Sequence, residues 1–346
     1  MAFEKTGLNY AKEYSQALAQ AYPYVLYFGA LWNAVKPDVK FLRNDTVILP
    51  SLSVKGRKNG DRDSIGTFGR NFNNDEEPKK LKTHRTWDTL IHPRDIDETN
   101  HVATIQNITK VMNEEQKFPE MDAEMITALY ALKNAIESIT EGDVLTLQNV
   151  LAKFDALMDK MDEARVPAAG RLLYCDTYTK TLIDTAKEAG RMLAATDTAV
   201  ARSLDRIGEV EVIGVPTTAM KSAYKFTDDG FEVQADEYEK STDTTVVTGK
   251  TYYTKAGDVY TAVAEPTGNP STSNYYEKVV EAAKDVKMML IHPSAVIPVI
   301  SYDFAQLGAP SSLSQGKWTY FEESFEDVFI FNKKHAGIQF YIENNA

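Results

Sequence analysis

Three apolar stripes follow one another between about Asp97 and Met161, and runs that read as β flank them on both sides. In the first, Val102, Ile105, Ile108 and Val111 recur on a three-to-four spacing. In the second, Met121, Met125, Leu129, Leu132, Ile136 and Ile139 keep the same period. In the third, Val144, Leu147, Leu151, Phe154, Met158 and Met161 do so again. This spacing predicts helices with one buried face each. Pro119 lacks an amide donor, so a break or kink is expected between the first two. Glu120, Asp122 and Glu124 place negative charge at the positive end of the second helix. Gly142 ends it, and Asp143 is placed to cap the third. The tract reads either as a helical core subdomain or as one long backbone helix from which β elements hang.

The period changes to two elsewhere. Val47–Val54 reads as a strand interrupted by Pro50. Leu81–Ile91 alternates, with Leu81, Thr83, Arg85, Trp87, Thr89 and Ile91 on one face. Between them, Lys55–Lys80 is polar, glycine-containing and too poor in apolar residues to order itself. The two strands therefore read as an extended hairpin arm with a long tip. Such a tip is uncommon in a compact domain, so it is either a mobile surface loop or a segment ordered from outside its own fold. Further on, Arg171–Cys175 reads as a strand, followed by a short helix from about Thr177. Glu209–Val215 alternates until Pro216 stops it. Val286–Ile291 is a buried-type strand, and His292 to Val296 turns out of it. Val328–Phe331 and Ile338–Ile342 close the chain as strands. Residues 228 to 284 differ in character: tyrosines alternate with Thr and Val between glycine turns, which suggests a small all-β insertion. Near the start, Leu8, Tyr10, Ala11, Tyr14 and Leu18 form a short amphipathic segment. An aromatic cluster of Tyr22, Tyr24, Tyr27, Phe28 and Trp32 follows. It is either tucked into its own domain or laid on a neighbouring subunit.

Composition narrows the partners. The 346 residues suffice for two or three domains, and at 43% hydrophobic they can form a sizeable core. A net charge of −12 disfavours a surface that grips nucleic acid throughout. A single cysteine, Cys175, excludes a disulfide framework and fits a reducing compartment. The opening residues lack an apolar signal core, and no apolar run reaches bilayer-spanning length. A soluble, intracellularly made chain is expected.

Catalytic chemistry is hard to place. No glycine-rich phosphate loop occurs. His84, His92, His101, His292 and His335 lack partners at metal-ligand spacing. Cys175, at a strand end without a neighbouring base, reads as a small packed hydrophobe. Asp95, Asp97 and Glu98 read as helix-capping acids. No enzyme activity, cofactor or metal is expected. In the arm, Lys55, Arg57, Lys58, Arg62, Arg70, Lys79, Lys80, Lys82 and Arg85 are interleaved with Asp61, Asp63, Asp75, Glu76 and Glu77. Mixed signs suit docking on a complementary protein surface better than phosphate binding.

The order of parts, and several local runs, resemble the tailed-bacteriophage major capsid proteins of the Hong Kong 97-type fold. Residues 87 to 122, from Trp87-Asp88 through His92-Pro-Arg-Asp-Ile-Asp97 to Phe118-Pro-Glu-Met-Asp122, resemble that family's junction of extended loop and spine helix. Arg165–Leu182, Ile213–Pro216, Met288–Val296 and Phe325–Gly337 are similar to its later strand passages. The resemblance implies an α+β fold divided as follows: an N-terminal arm (1–45), an extended loop (46–94) and a peripheral domain with the spine helix (95–170). An axial domain then comes in two parts (171–227 and 285–315), before a return to the peripheral domain (316–346); the β-rich stretch between the two parts (228–284) departs from that family's minimal fold and reads as an inserted domain. It also implies a shell subunit that self-assembles through pentamers and hexamers, in the virion, after assembly in the host cytoplasm. A scaffolding protein, a portal and decoration proteins are implied partners, with packaged double-stranded DNA touched only weakly and no membrane. Inter-subunit contacts are then expected at Arg57, Arg62, Arg70, Phe72 and Trp87 of the arm, and at Tyr24 and Trp32. The alternatives are an intracellular enzyme whose site forms only in three dimensions, and a phage tail or adhesion protein suggested by the tyrosine-rich stretch.

Overall fold

A computed structural model describes residues 24–33, 40–43, 46–57, 70–98, 105–194, 206–207, 210–248, 250–263 and 266–344. The chain divides into two compact units. One comprises Met1–Pro119 with His292–His335, the other Glu120–Ile291 with Ala336–Ala346. The amphipathic segment from Leu8 to Leu18, with Tyr22, Lys58, Asp61, Arg62, Asp63, His101 and Val102, lies outside the described residues.

The first unit opens with a short helix, α1 (Gly29–Trp32), and a three-stranded antiparallel sheet. Its strands are β1 (Lys40–Arg43), β2 (Thr46–Val54) and β3 (Phe72–Lys80). The expected pairing of Val47–Val54 with Leu81–Ile91 is wrong. β2 pairs with β3 over nine residues, from Thr46 opposite Lys80 to Val54 opposite Phe72. The polar run FNNDEEPKK thus forms a strand despite having no apolar alternation, because backbone hydrogen bonds to β2 hold it. The alternating run becomes β4 (Thr83–Ile91), which joins a different sheet. Three helical segments follow: α2 (Pro93–Glu98), α3 (Ile105–Met112) and a π-helical turn at Asn113–Lys117. Asp95, Asp97 and Glu98 fall inside α2, not ahead of it.

In the second unit, α4 (Phe118–Ile136) starts where the break was expected. Met112 and Phe118 on either side of the π turn keep helical angles, so Pro119, the second residue of α4, follows helical backbone directly, and its missing amide donor falls beside the widened turn. The irregularity is therefore a widened turn before the proline, not a gap. The buried stripe of α4 also differs from the expected one. Asp122, Ala123, Met125, Ile126, Leu129 and Lys133 are buried, while Ile136 is exposed. The third helix begins late: α5 runs Val150–Glu163, leaving Val144 and Leu147 exposed ahead of it. Asn149 replaces Asp143 at the turn before it; its Oδ1 accepts the Thr146 amide at 2.7 Å. Glu141–Gly142 is instead a two-residue strand, β5.

The next elements are β6 (Leu172–Asp176), α6 (Thr177–Ala194), β7 (Arg206–Ile207) and β8 (Val210–Val215). α6 has 18 residues, so the expected short helix is a long one. A hairpin follows, β9 (Tyr224–Thr227) with β10 (Gly230–Val233). Then come β11 (Glu237–Lys240), β12 (Tyr253–Ala256), β13 (Val259–Ala262) and β14 (Tyr276–Val280). β15 (Val286–Ile291) returns to the main sheet. Back in the first unit, β16 (Val296–Gly308) and β17 (Trp318–Ile330) form a long hairpin, and β18 (Ile338–Glu343) ends in the second.

The second unit centres on a six-stranded mixed sheet in the order β5-β18-β15-β6-β8-β7. β6 and β8 are parallel, with α6 between them in sequence. Leu173, Cys175, Val212, Met288 and Leu290 of the sheet pack with Phe154, Leu157 and Met161 of α5 and Ile183 of α6. Each side chain removed from water here contributes about 1.5–3 kcal/mol before chain entropy is counted. Cys175 is fully buried, as expected of a packed hydrophobe; burial, with Asp176 beside it, pushes its thiol up to about 12. Arg171, also buried, holds the preceding turn: Nε donates to the Pro167 carbonyl at 2.9 Å, and Nη2 to the Val166 carbonyl and to Asp162, both at 2.6 Å.

Candidate assembly surface

The first unit anchors one end of the arm and exposes the other. At the anchored end, Val47 and Leu49 are buried against Leu81, Ile297, Val299 and Phe329. Asn332 Nδ2 donates to Glu77 Oε2 at 2.8 Å, and Lys333 Nζ donates to the Leu52 carbonyl at 2.8 Å. Beyond this anchor, Leu52, Val54 and Phe72 are 60%, 70% and 54% exposed. The Arg70 guanidinium lies 4.8 Å from the Phe72 ring centroid, and its Nε donates to the Phe72 carbonyl at 3.0 Å. The ladder thus ends in apolar side chains with a cation over one ring, a surface type enriched where proteins meet.

A second surface lies on the three-stranded sheet β16-β17-β4 of the same unit. On one face of β17, Glu322, Ser324 and Glu326 are buried. Lys117 pairs with Glu322, and the Tyr320 hydroxyl donates to Glu322 Oε2 at 3.0 Å. Trp87, opposite Glu322 on β4, packs on Tyr320 at 5.6 Å between ring centroids. On the other face, Phe321 and Phe304 are partly exposed with their rings 6.3 Å apart, and Leu90 is exposed. His84 stacks on Phe325 at 4.1 Å and meets Glu323 Oε1 at 2.8 Å. Asp327 ties the start of β4 to β17: its Oδ2 accepts the Lys82 amide at 3.1 Å. Burial holds its carboxyl above the ordinary range.

The expected contact residues fall in different places. Arg70 and Phe72 form one exposed contact, and Arg57 is exposed two residues past Lys55, whose amide donates to the Asn71 carbonyl at 2.8 Å. Arg62 lies outside the described residues. Trp87 is half-buried within its sheet. Tyr24 is half-buried, edge-on to Tyr27 at 5.3 Å. Trp32 is 6% exposed, with Leu31 of the same short helix and Phe28 just before it also buried, so its ring packs within its own chain. Leu52, Val54, Leu90, Phe304 and Phe321 were not foreseen. The signal for two of them was present: β2 carries apolar residues on both faces, Val47 and Leu49 on one, Ile48, Leu52 and Val54 on the other.

Among the described residues, no group of three or more His, Cys, Asp or Glu could hold a metal ion. His292 is a turn histidine whose Nδ1 accepts the Ser294 amide at 3.2 Å. No described helix is long and apolar enough to cross a membrane.

No family model and no curated protein matches the chain. Solved structures do. The capsid structure of the cyanophage P-SCSP1u matches with a TM-score of 0.60 at 10% identity, over 97% of this chain and 94% of that one. The mature capsid of bacteriophage PhiM1 matches with a TM-score of 0.60 at 9% identity, over 98% and 93%. The capsid of Ralstonia phage GP4 matches with a TM-score of 0.50 at 9% identity, over 100% and 99%. The chain has the α+β fold of phage capsid proteins, as its sequence resemblance implied.

Proposed function

We propose that this chain is the major capsid protein of a tailed bacteriophage, a structural protein without catalytic activity. Copies associate as pentamers and hexamers and close into an icosahedral shell around double-stranded DNA. The observation that carries this reading is the fold likeness to phage capsids across 97–98% of the chain at a TM-score of 0.60. The first unit supplies the means. Its arm is pinned at one end and presents Leu52, Val54, Arg70 and Phe72 at the other. One chain that must meet many copies of itself needs such self-complementary reach. The division into arm, extended loop, peripheral and axial parts belongs to the same proposal. So do assembly in the host cytoplasm and a place in the virion. A scaffolding protein, a portal and decoration proteins complete the partners. A net charge of −12 fits a shell that touches its DNA only weakly.

The test is assembly of the purified chain, followed by electron microscopy and size-exclusion chromatography. The wild type should give closed shells. Replacing Phe72→Asp together with Arg70→Glu should leave a folded, soluble chain that no longer closes shells. Normal shells from that variant would overturn the role given to the arm. A wild type that stays a small monomer under every assembly condition would overturn the capsid reading itself.

A further inference from the structure

Between β8 and β15 the chain leaves the six-stranded sheet, builds β9 to β14, and comes back. The two parts of that excursion differ. The β9–β10 hairpin is tied to its surroundings: Tyr224 is buried, its amide donates to Thr127 Oγ1 of α4 at 3.2 Å, and its hydroxyl donates to the Thr218 carbonyl. Residues 236–282 have ties of another kind. Their hydrogen bonds and ion pairs to the rest of the described chain reach Lys225, Gln234 and Lys284. Lys225 meets Glu237 at 2.6 Å, Gln234 Nε2 donates to Glu237 Oε1 at 3.5 Å, and Lys284 meets Glu281 at 3.7 Å. At the neck itself the Ala283 amide donates to the Gln234 carbonyl at 2.8 Å. Just below this neck, Lys221 pairs with Asp285 across an isolated bridge, and the Ser222 amide donates to the Lys284 carbonyl at 2.9 Å.

Inside the neck, the segment builds a core of its own. The sheet order is β11-β14-β12-β13, so β11 and β13 are its opposite edges. Yet Tyr238 of β11 and Tyr260 of β13 stack with centroids 4.0 Å apart. The sheet therefore curls, and Tyr253 and Tyr276 join the inside of the curl, 4.9 Å from Tyr238 and 5.3 Å from Tyr260. Lys278 caps Tyr238 and Tyr253. At one end, Tyr252 is fully buried; its hydroxyl donates to Asp243 Oδ2 at 2.7 Å and accepts the Val247 amide at 3.1 Å. Lys250 joins Asp243 and Glu277 at 2.8 and 2.7 Å.

We infer that 236–282 is a separately folding module on a two-stranded neck, able to lose its structure while the sheet it interrupts keeps its own. None of its side chains belongs to the apolar core that closes the six-stranded sheet, so its unfolding need not propagate through that core. With tyrosine rings and ion pairs in place of an aliphatic core, it is also the weaker of the two.

Amide hydrogen exchange of the full-length chain, read by mass spectrometry along a denaturant series, tests this. Peptides from 236–282 should reach full exchange at a denaturant concentration where peptides covering β6 and β15 remain protected. Tyr238→Ala should speed exchange within 236–282 by roughly tenfold or more and leave β6 and β15 unchanged. One exchange transition shared by the module and β15, moved as a whole by Tyr238→Ala, would overturn the inference. That outcome concerns the single chain and leaves the capsid reading standing; failure to form shells would do the reverse.

Discussion

In the six-stranded sheet, Leu173, Met288 and Leu290 have no contact with water. In the curled sheet of the same unit, the inward positions are Tyr238, Tyr253, Tyr260 and Tyr276, and each ring stays partly exposed. The first sheet is closed by aliphatic packing from two helices, the second by rings stacking across its own curl. Aliphatic burial is strong and indifferent to pH and salt. Ring stacking adds about 0.5–1.5 kcal/mol per pair beyond area, and the accompanying ion pairs depend on both conditions. The two regions should therefore fail under different insults, and that difference can be broken or sharpened by mutation.

The largest effect is expected in the aliphatic sheet. Leu290→Ala opens a cavity between β15 and its neighbours and should cost about 2–5 kcal/mol. The denaturation midpoint read from β6 and β15 should fall, while exchange from 236–282 stays as it was. If both regions weaken together, the separation drawn between them is wrong.

Arg171→Met should come next. The substitution keeps most of the volume but takes the donor from the carbonyls of half-buried Val166 and exposed Pro167, at roughly 1–3 kcal/mol for the two together because water reaches part of this turn. Asp162 is 59% exposed and returns to water, so its loss adds little. Thermal unfolding followed by circular dichroism would measure the cost. A change below about 0.5 kcal/mol would mean that these carbonyls find water instead.

The two regions also differ in how far they could be read from sequence. Runs such as LLYC and VKMMLI are apolar at all but one position, Lys287, and strand position and burial followed directly from them. β17 could be read only in part. Its buried positions include Glu322, Ser324 and Glu326, while Phe321 faces out, so the two-residue period carries the wrong polarity. β3 was missed because its ladder to β2 is made of backbone hydrogen bonds, which leave no trace in side-chain pattern. The 13-residue β16 was not read as a strand; Val296, its first residue, was expected to end a turn. The tyrosine-rich stretch was legible as β, but not as a curl, since the closing contact joins residues 22 positions apart on strands that do not pair. Among the contact candidates, Arg70 and Phe72 lie exposed side by side, but sequence offered only their type. It could not tell which aromatic residues the chain covers itself, and Trp32 is one that it does.

Tyr252→Phe should have a smaller effect, confined to the curled sheet. It removes the hydroxyl that links Asp243 to the Val247 amide, worth about 1–2 kcal/mol of local stability. Exchange should quicken in 236–282 alone. Equal quickening in β15 would join the two regions again.

Mild acid should separate the regions with no mutation at all, by the smallest margin. Three carboxyls in and beside the curled sheet titrate below their ordinary values. Lys250, then the Tyr252 hydroxyl, hold Asp243 down, and Lys225, then Gln234, hold Glu237 down. Burial acts to raise Asp236, but hydrogen bonds from Lys278 and the Ala282 amide outweigh it. In each case the unfolded carboxyl binds its proton first as pH falls. Their contribution is complete above the ordinary carboxylate range, near pH 4, and is lost as pH drops through that range towards the depressed folded values. Because the pairs are largely solvated, the loss is modest and salt should mimic it. Exchange from 236–282 should therefore accelerate relative to β6 and β15 when the chain is moved from pH 6 to the ordinary carboxylate range, after correction for intrinsic rates. An unchanged ratio would show that ring stacking alone closes the curl, and that the charged partners only decorate it.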